Sequence, residues 1–242
     1  MSYEINEQKN ILDYKRRLDY MSMMKYVDVF AKRYSFIGVT NVGRSIMGRS
    51  IPIITLGRGA DSLLYVGAHR SDEWLTSIIL LRFINEYCEL YKNRGRIYNT
   101  TLEYMYSTKT IYIVPMLNPD EEETDGEYDV GELCNFLRFN DGIREVLSLR
   151  LGREGVCSFE DDSEQKRSLY VARSISRMSG YPLSLGDGPE RAEKFIDWCL
   201  SETDIPIFSI KCGEDKKNFN ADWLFRIYAD MREPLFRTPF LV

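Results

Sequence analysis

Apolar residues fall at helical spacing through "NILDYKRRLDYMSMMKYVDVFAKRY", which predicts one or two amphipathic helices before Phe36. The pattern then shortens. "SIPIITLG" and "SLLYVGA" are brief β-rich runs separated by "RGAD", whose Gly and Asp are turn chemistry, so they predict two neighbouring strands. From Glu73 to about Tyr91 the run "EWLTSIILLRFINEYCELY" is too long and too uniformly apolar for a strand and predicts a buried helix. "KTIYIVPMLNPD" predicts a third strand, ended where Pro115 and Pro119 stop ladder pairing. Between Glu121 and Asp162 the chain is acidic, punctuated by Gly and weakly periodic, with only "NFLRF" and "IREVLSL" patterned as ordered pieces. "SEQKRSLYVARSISRMSG" predicts a helix closed by Gly180. A Gly-Pro loop "LSLGDGPE", a helix through Trp198, a strand "IPIFSIKCG" and a last helix from about Ala221 to Arg232 complete the order. Strands alternating with helices predict an α/β three-layer sandwich, a mixed but mainly parallel sheet with helices on both faces.

A chain of 242 residues that is 44% hydrophobic has enough apolar surface for one large domain. The formal net charge of −5 is modest, and Lys and Arg are spread along the sequence rather than gathered among aromatics, which argues against a nucleic-acid partner. No apolar run approaches the ~20 residues that span a bilayer, and "MSYEINEQKN" lacks the charged start and apolar stretch of a signal peptide. A soluble cytoplasmic protein with no membrane contact is the expectation. The five cysteines (Cys88, Cys134, Cys157, Cys199, Cys212) are odd in number and form no C-x-x-C pair, as free thiols in a reducing compartment would. The acidic run "PDEEETDGEYD" lacks the alternate-oxygen spacing of a calcium loop and reads as solvated.

In a sheet of this kind ligands collect at the carboxyl ends of the strands. Three segments end strands in that way: "GAHRSDEW", "VPMLNPD" and "FSIKCG". With "GRSIMGRSIPIITLG" before them and "SGYPL" and "FIDW" between, they resemble the zinc carboxypeptidases, and within that family the bacterial γ-D-glutamyl-diamino acid peptidases that trim cell-wall peptides. The resemblance implies one carboxypeptidase-like domain over residues 1–242, with an N-terminal helical segment at 1–35. The central region, 121–162, is replaced or shortened relative to the family, so the implied sandwich is shortened in the middle. It also implies a metal centre of two His and one Glu, a Glu general base on the closing strand, and metallocarboxypeptidase activity.

The residues depart from each of these. Aligned without a gap, "GAHRSDEW" keeps Glu73 and Trp74 in register and places Arg70, not His69, at the first His position. A guanidinium stays protonated and has no lone pair for a metal. Inserting one residue would restore His69 as a ligand with Glu73, at the cost of the family's spacing. A second His is missing altogether, because His69 is the only histidine in the chain. Lys211 stands in "FSIKCG" where the resemblance implies the general base, and an ammonium is no proton acceptor unless burial lowers its pKa far. Asn135 and Arg138 have no motif behind them and receive no role.

The expected site is therefore a remnant: Arg70 and Glu73 at former metal positions, Lys211 at the base position, and His69, Asp72, Asn118 and Asp120 as pocket neighbours. Because unpaired buried charge is costly, Glu73 is expected to pair with Arg70 and Lys211. A lone histidine at a strand end is read as a structural residue. The expected function is a catalytically inactive carboxypeptidase-like protein without a cofactor, binding a peptide with a free carboxylate or a protein partner. The alternatives are an active metallocarboxypeptidase or cell-wall peptide amidohydrolase with a non-standard zinc site, and a purely structural protein that forms a homodimer.

Overall fold

The computed structural model describes residues 12, 17–120, 130–159, 165–185, 194–213 and 221–241. The acidic run at 121–129 and most of the Gly-Pro loop, 186–193, lie outside them. In chain order the elements are α1 (Tyr20–Arg33), β1 (Gly38–Arg44), β2 (Ser50–Gly57), β3 (Asp61–Val66), α2 (Trp74–Lys92), a short β4–β5 ribbon (Arg96–Ile97 and Thr100–Thr101), α3 (Leu102–Thr108) and β6 (Lys109–Val114). Then come α4 (Gly131–Arg138), β7 (Ile143–Arg150), β8 (Gly152–Phe159), α5 (Gln165–Ser179), β9 (Leu183–Leu185), α6 (Lys194–Glu202), β10 (Ile207–Gly213), α7 (Ala221–Arg237) and a 3-10 turn at Thr238–Phe240.

Eight strands form one sheet in the order β1-β2-β6-β3-β7-β10-β8-β9. Its centre, β6-β3-β7-β10, is parallel, and antiparallel pairs bring in β1 and β2 on one side and β8 on the other. Strand alternation divides the core into two. Leu63 and Tyr65 of β3, Leu147 and Leu149 of β7 and Phe208 and Ile210 of β10 face α1, α2, α3, α5 and α7. Leu64, Val66, Val146 and Ile207 face α4 and α6 on the other side. The three-layer α/β sandwich is thus the architecture that the strand–helix alternation predicts.

Helix α2 is apolar nearly all round because it is nearly all buried, from Trp74 to Cys88. α1 buries one stripe, Met23, Val27 and Phe30, and Asp19 caps it by accepting from the Ser22 amide at 2.6 Å. Gly180, with φ +76°, ends α5 as the sequence implies.

Two expectations are corrected. β2 and β3 are not neighbours, because β6 lies between them. The link is so tight that a Cβ at Gly57 (φ +97°) would lie 2.0 Å from the Lys109 carbonyl oxygen, so the chain steps over the start of β6 rather than turning back on itself. α7 does not stop near Arg232 but runs to Arg237 with Pro234 inside it. There the apolar contacts of Leu235 and Phe236 in the core outweigh the lost backbone bond.

Candidate functional site: a saturated carboxylate at the carboxyl edge

β3, β6, β7 and β10 all run toward one edge of the sheet, so the segments after Val66, Val114 and Arg150 converge there with Lys211. β3 leaves the sheet through Gly67, where a Cβ would lie 2.9 Å from both Leu80 Cδ1 and the Pro115 carbonyl oxygen; only glycine fits that approach. Ala68 follows with φ +43°, a left-handed conformation that costs a non-glycine residue about 1 kcal/mol. Thr76 holds it: Thr76 Oγ1 accepts from the Ala68 amide at 2.7 Å and donates to the Glu73 carbonyl at 2.8 Å. This reversal turns the amides of His69 and Arg70 toward the side chain of Glu73.

Glu73 has no solvent exposure. Its Oε2 accepts from the His69 amide at 3.0 Å and the Arg70 amide at 3.3 Å, and its Oε1 accepts from the Leu151 amide at 3.3 Å. The Arg150 Nε donates to Oε1 at 2.8 Å and to Oε2 at 3.1 Å. Arg150 itself is only 5% exposed. The carboxylate's acceptor positions are thus filled by three amides and a guanidinium, the charge-assisted arrangement that makes a buried ion pair tolerable.

The expected Arg70–Lys211–Glu73 cluster is therefore built differently. Glu73's principal cation is Arg150, at the end of the β7 run in which sequence reasoning saw only a plausible ordered piece. Arg70 is largely exposed; its Nε lies 3.3 Å from Asp72 Oδ1 and 3.9 Å from Glu73 Oε1. Lys211 stands on β10 in register with Arg150 on β7 and with Gly155 on β8. Its stem passes over Gly152, where an added Cβ would meet Lys211 Cδ at 3.0 Å.

The His69 ring engages Ser148 and Phe195. It is buried, its Nε2 lies 2.8 Å from the Oγ of Ser148 on β7, and it packs near the Phe195 ring at 6.1 Å between centroids. Burial, reinforced by the positive charges of Arg150 and Arg70, holds the imidazole well below its usual pKa. Its Nδ1 takes no hydrogen bond. Ser148 and His69 resemble a nucleophile–base pair in spacing alone, since at 0% and 1% exposure no substrate carbonyl reaches them.

Asn118 and Asp120 act on the far side of the loop. Asp120, 2% exposed, accepts from Ser45 Oγ at 2.7 Å and from the Met47 amide at 3.2 Å, while Arg49 Nη1 donates to the Pro119 carbonyl at 2.5 Å. The Asn118 amide bonds to the Ala68 carbonyl at 2.9 Å, and its side-chain oxygen accepts from the Asp120 amide at 3.2 Å. "NPD" thus ties the β1–β2 turn to the Ala68 loop. Arg138 pairs with Glu202 at 3.3 Å and stacks on Trp198 at 5.1 Å, away from the site.

A zinc ion of the family's kind does not fit these residues. Glu73 is saturated, the Nε2 of the sole histidine is engaged by Ser148, and a dication on His69 Nδ1 would meet the fields of Arg150 and Arg70. Cys212 is close by on β10, but burial and the Glu73 charge push its thiol well up, away from the thiolate that zinc requires. No cluster of three or more His, Cys, Asp or Glu suited to a metal occurs among the described residues.

Residues 23–130 match the model of the zinc carboxypeptidase family. Gamma-D-glutamyl-L-diamino acid endopeptidase 1 of Lysinibacillus sphaericus is 30% identical over 106 residues, 44% of this chain and 27% of that protein. The match thus spans about a quarter of that relative's length. In fold, the chain is similar to thrombin activatable fibrinolysis inhibitor (TM-score 0.76, 12% identity, covering 96% of this chain and 76% of that one). It is also similar to a metallo-carboxypeptidase from Pseudomonas aeruginosa in complex with (2-guanidinoethylmercapto)succinic acid (TM-score 0.66, 13% identity, 93% and 70%). The chain is thus similar in sequence to the zinc carboxypeptidase family over residues 23–130, and similar in fold to solved carboxypeptidases over nearly its whole length.

Proposed function

We propose that this chain uses the carboxypeptidase fold for binding rather than for metal-assisted hydrolysis, and that its ligand is a peptide presenting a free carboxylate. One observation carries the reading: Glu73 is sealed by Arg150 and three backbone amides, so the group that would share a metal is already neutralised. Exposed Arg70 and the Lys211 stem flank that pair, which gives this edge of the sheet a cationic character suited to a carboxylate. Lys211 stands where the resemblance implies a carboxylate base. Cys88, Cys134, Cys199 and Cys212 are buried free thiols, which supports a cytoplasmic setting. No described helix is long and apolar enough to cross a membrane.

The test is elemental analysis of tag-free protein prepared with zinc supplied, paired with γ-D-glutamyl-L-diamino acid peptides as substrate and as ligand. The expected result is substoichiometric zinc, no cleavage and a peptide-dependent rise in Tm through ligand linkage. One equivalent of zinc with peptide cleavage overturns the reading in favour of a non-standard metallopeptidase. Neither zinc nor peptide protection transfers the function to a protein partner or a second copy of the chain.

A further inference from the structure

β7 and β10, which carry Arg150 and Lys211, begin at the opposite edge of the sheet. A cavity of about 410 Å³ opens there between the start of β7, the turn after α4, the first turn of α5 and the segment leading into β10. That volume is in the range of small-molecule sites. Leu137, Ile143, Ile205 and Pro206 supply apolar wall. Glu145 of β7 lines it as well; it is only 2% exposed, and its Oε2 is buried and takes no hydrogen bond. Most buried polar atoms are satisfied, so an orphaned carboxyl oxygen facing a cavity marks a place for a donor.

The surrounding charges say which donor. Asp141 and Asp204 join Glu145 on the lining, against Arg144 and Arg167, so three acids face two guanidiniums. Arg144 is also drawn toward Asp61 outside the cavity, at 3.9 Å, and Lys109 of β6 is held by Asp61 at 3.3 Å. Tyr65 of β3, a further titratable neighbour among the described residues, donates its hydroxyl to the Leu235 carbonyl at 2.9 Å. Once Glu145 is ionised, the described lining therefore carries one more carboxylate than it has guanidiniums.

We propose that this cavity binds a small alkylammonium, whose N–H groups donate to Glu145 while its carbon stem lies against Leu137, Ile143, Ile205 and Pro206. The site is separate from the Glu73 edge and does not depend on the function proposed for it. Burial raises the Glu145 carboxyl to about 8, against the pull of Arg167 and Lys109, so at neutral pH it is largely protonated and must ionise to receive the cation. Binding then releases a proton, and affinity rises with pH, about tenfold per unit below the pKa of Glu145, and levels above it.

The test is an NMR titration of the ¹⁵N-labelled full chain with butylammonium chloride, following the amides of Glu145 and Val146, with n-butanol as the uncharged probe of equal length. The expected result is saturable binding of butylammonium but not butanol, about tenfold tighter at pH 7.5 than at pH 6.5. Glu145→Gln is expected to weaken it at least tenfold. Absence of a saturable shift, equal binding of butanol, or unchanged affinity in E145Q overturns the proposal. Should E145Q lose the native spectrum, Asp204→Asn on the exposed rim carries the test. Its expected weakening is about threefold, the scale of a partly screened charge, and unchanged affinity there overturns the proposal equally.

Discussion

Glu73 and Glu145 are both nearly inaccessible, at 0% and 2% exposure, yet they occupy opposite edges of the same sheet in opposite circumstances. Glu73 receives three amides and a guanidinium. Glu145 has an oxygen with no donor and a carboxyl pushed up to about 8. Burial alone therefore does not decide what a carboxyl group does; the number of donors that reach it does. One edge is closed chemistry, and the other is open.

Removing the donor from the closed edge is expected to be the most damaging change. Arg150→Met should lower unfolding free energy by about 3–5 kcal/mol, because it leaves Glu73 charged and buried without its cation. Urea denaturation measures it. Glu73→Gln in the same chain should restore part of the loss, and full additivity of the two changes would show that they do not act as a pair.

Glu145→Gln should act in the opposite direction at high pH. A carboxyl whose folded pKa is raised holds its proton in the native state while the unfolded chain has released it, so its contribution is intact below about 4.5 and is lost as pH rises toward 8. The variant should be more stable than the parent by on the order of 3–5 kcal/mol at pH 9 and nearly equal at pH 5, flattening the stability profile between. A parallel pair of profiles would remove Glu145 from the comparison.

Asp120 is the intermediate case, a buried carboxylate with one hydroxyl donor, one backbone amide donor and no described cation on it. Asp120→Ala should cost about 1–2 kcal/mol, read as a lowered midpoint in the same denaturation series. It should also loosen the turn at Ser45–Arg49, which hydrogen exchange at Met47 reports.

The sequence revealed elements where the apolar pattern was long and the punctuation strong. α2 was legible because a continuous apolar run of that length fits only a buried helix, and α5 because Gly180 ends it. Strand order was less legible: "RGAD" looks like a hairpin turn, and nothing in those four residues reveals that β6, fifty residues later, inserts beside them. At the site, Glu73 was visible through its motif, whereas its partner was not. The family match ends at residue 130, before β7, so Arg150 had no motif to announce it. A weaker signal was present. Ser148 and Arg150 are polar at i and i+2 and alternate with Leu147 and Leu149, which makes one face of a central strand polar toward its carboxyl end. Glu145 is not announced either: a single acid inside "IREVLSL" belongs to no motif, and nothing in the sequence shows that it faces a cavity.

The mutual sealing of Glu73 and Arg150 also makes this edge hard to convert into a two-histidine metal centre. Replacing the arginine first strands an anion in the interior, and replacing the glutamate first strands a cation and three amide donors. Every single-step route to two imidazoles around that carboxylate thus passes through a destabilised protein, so the pair works as a ratchet that favours keeping itself.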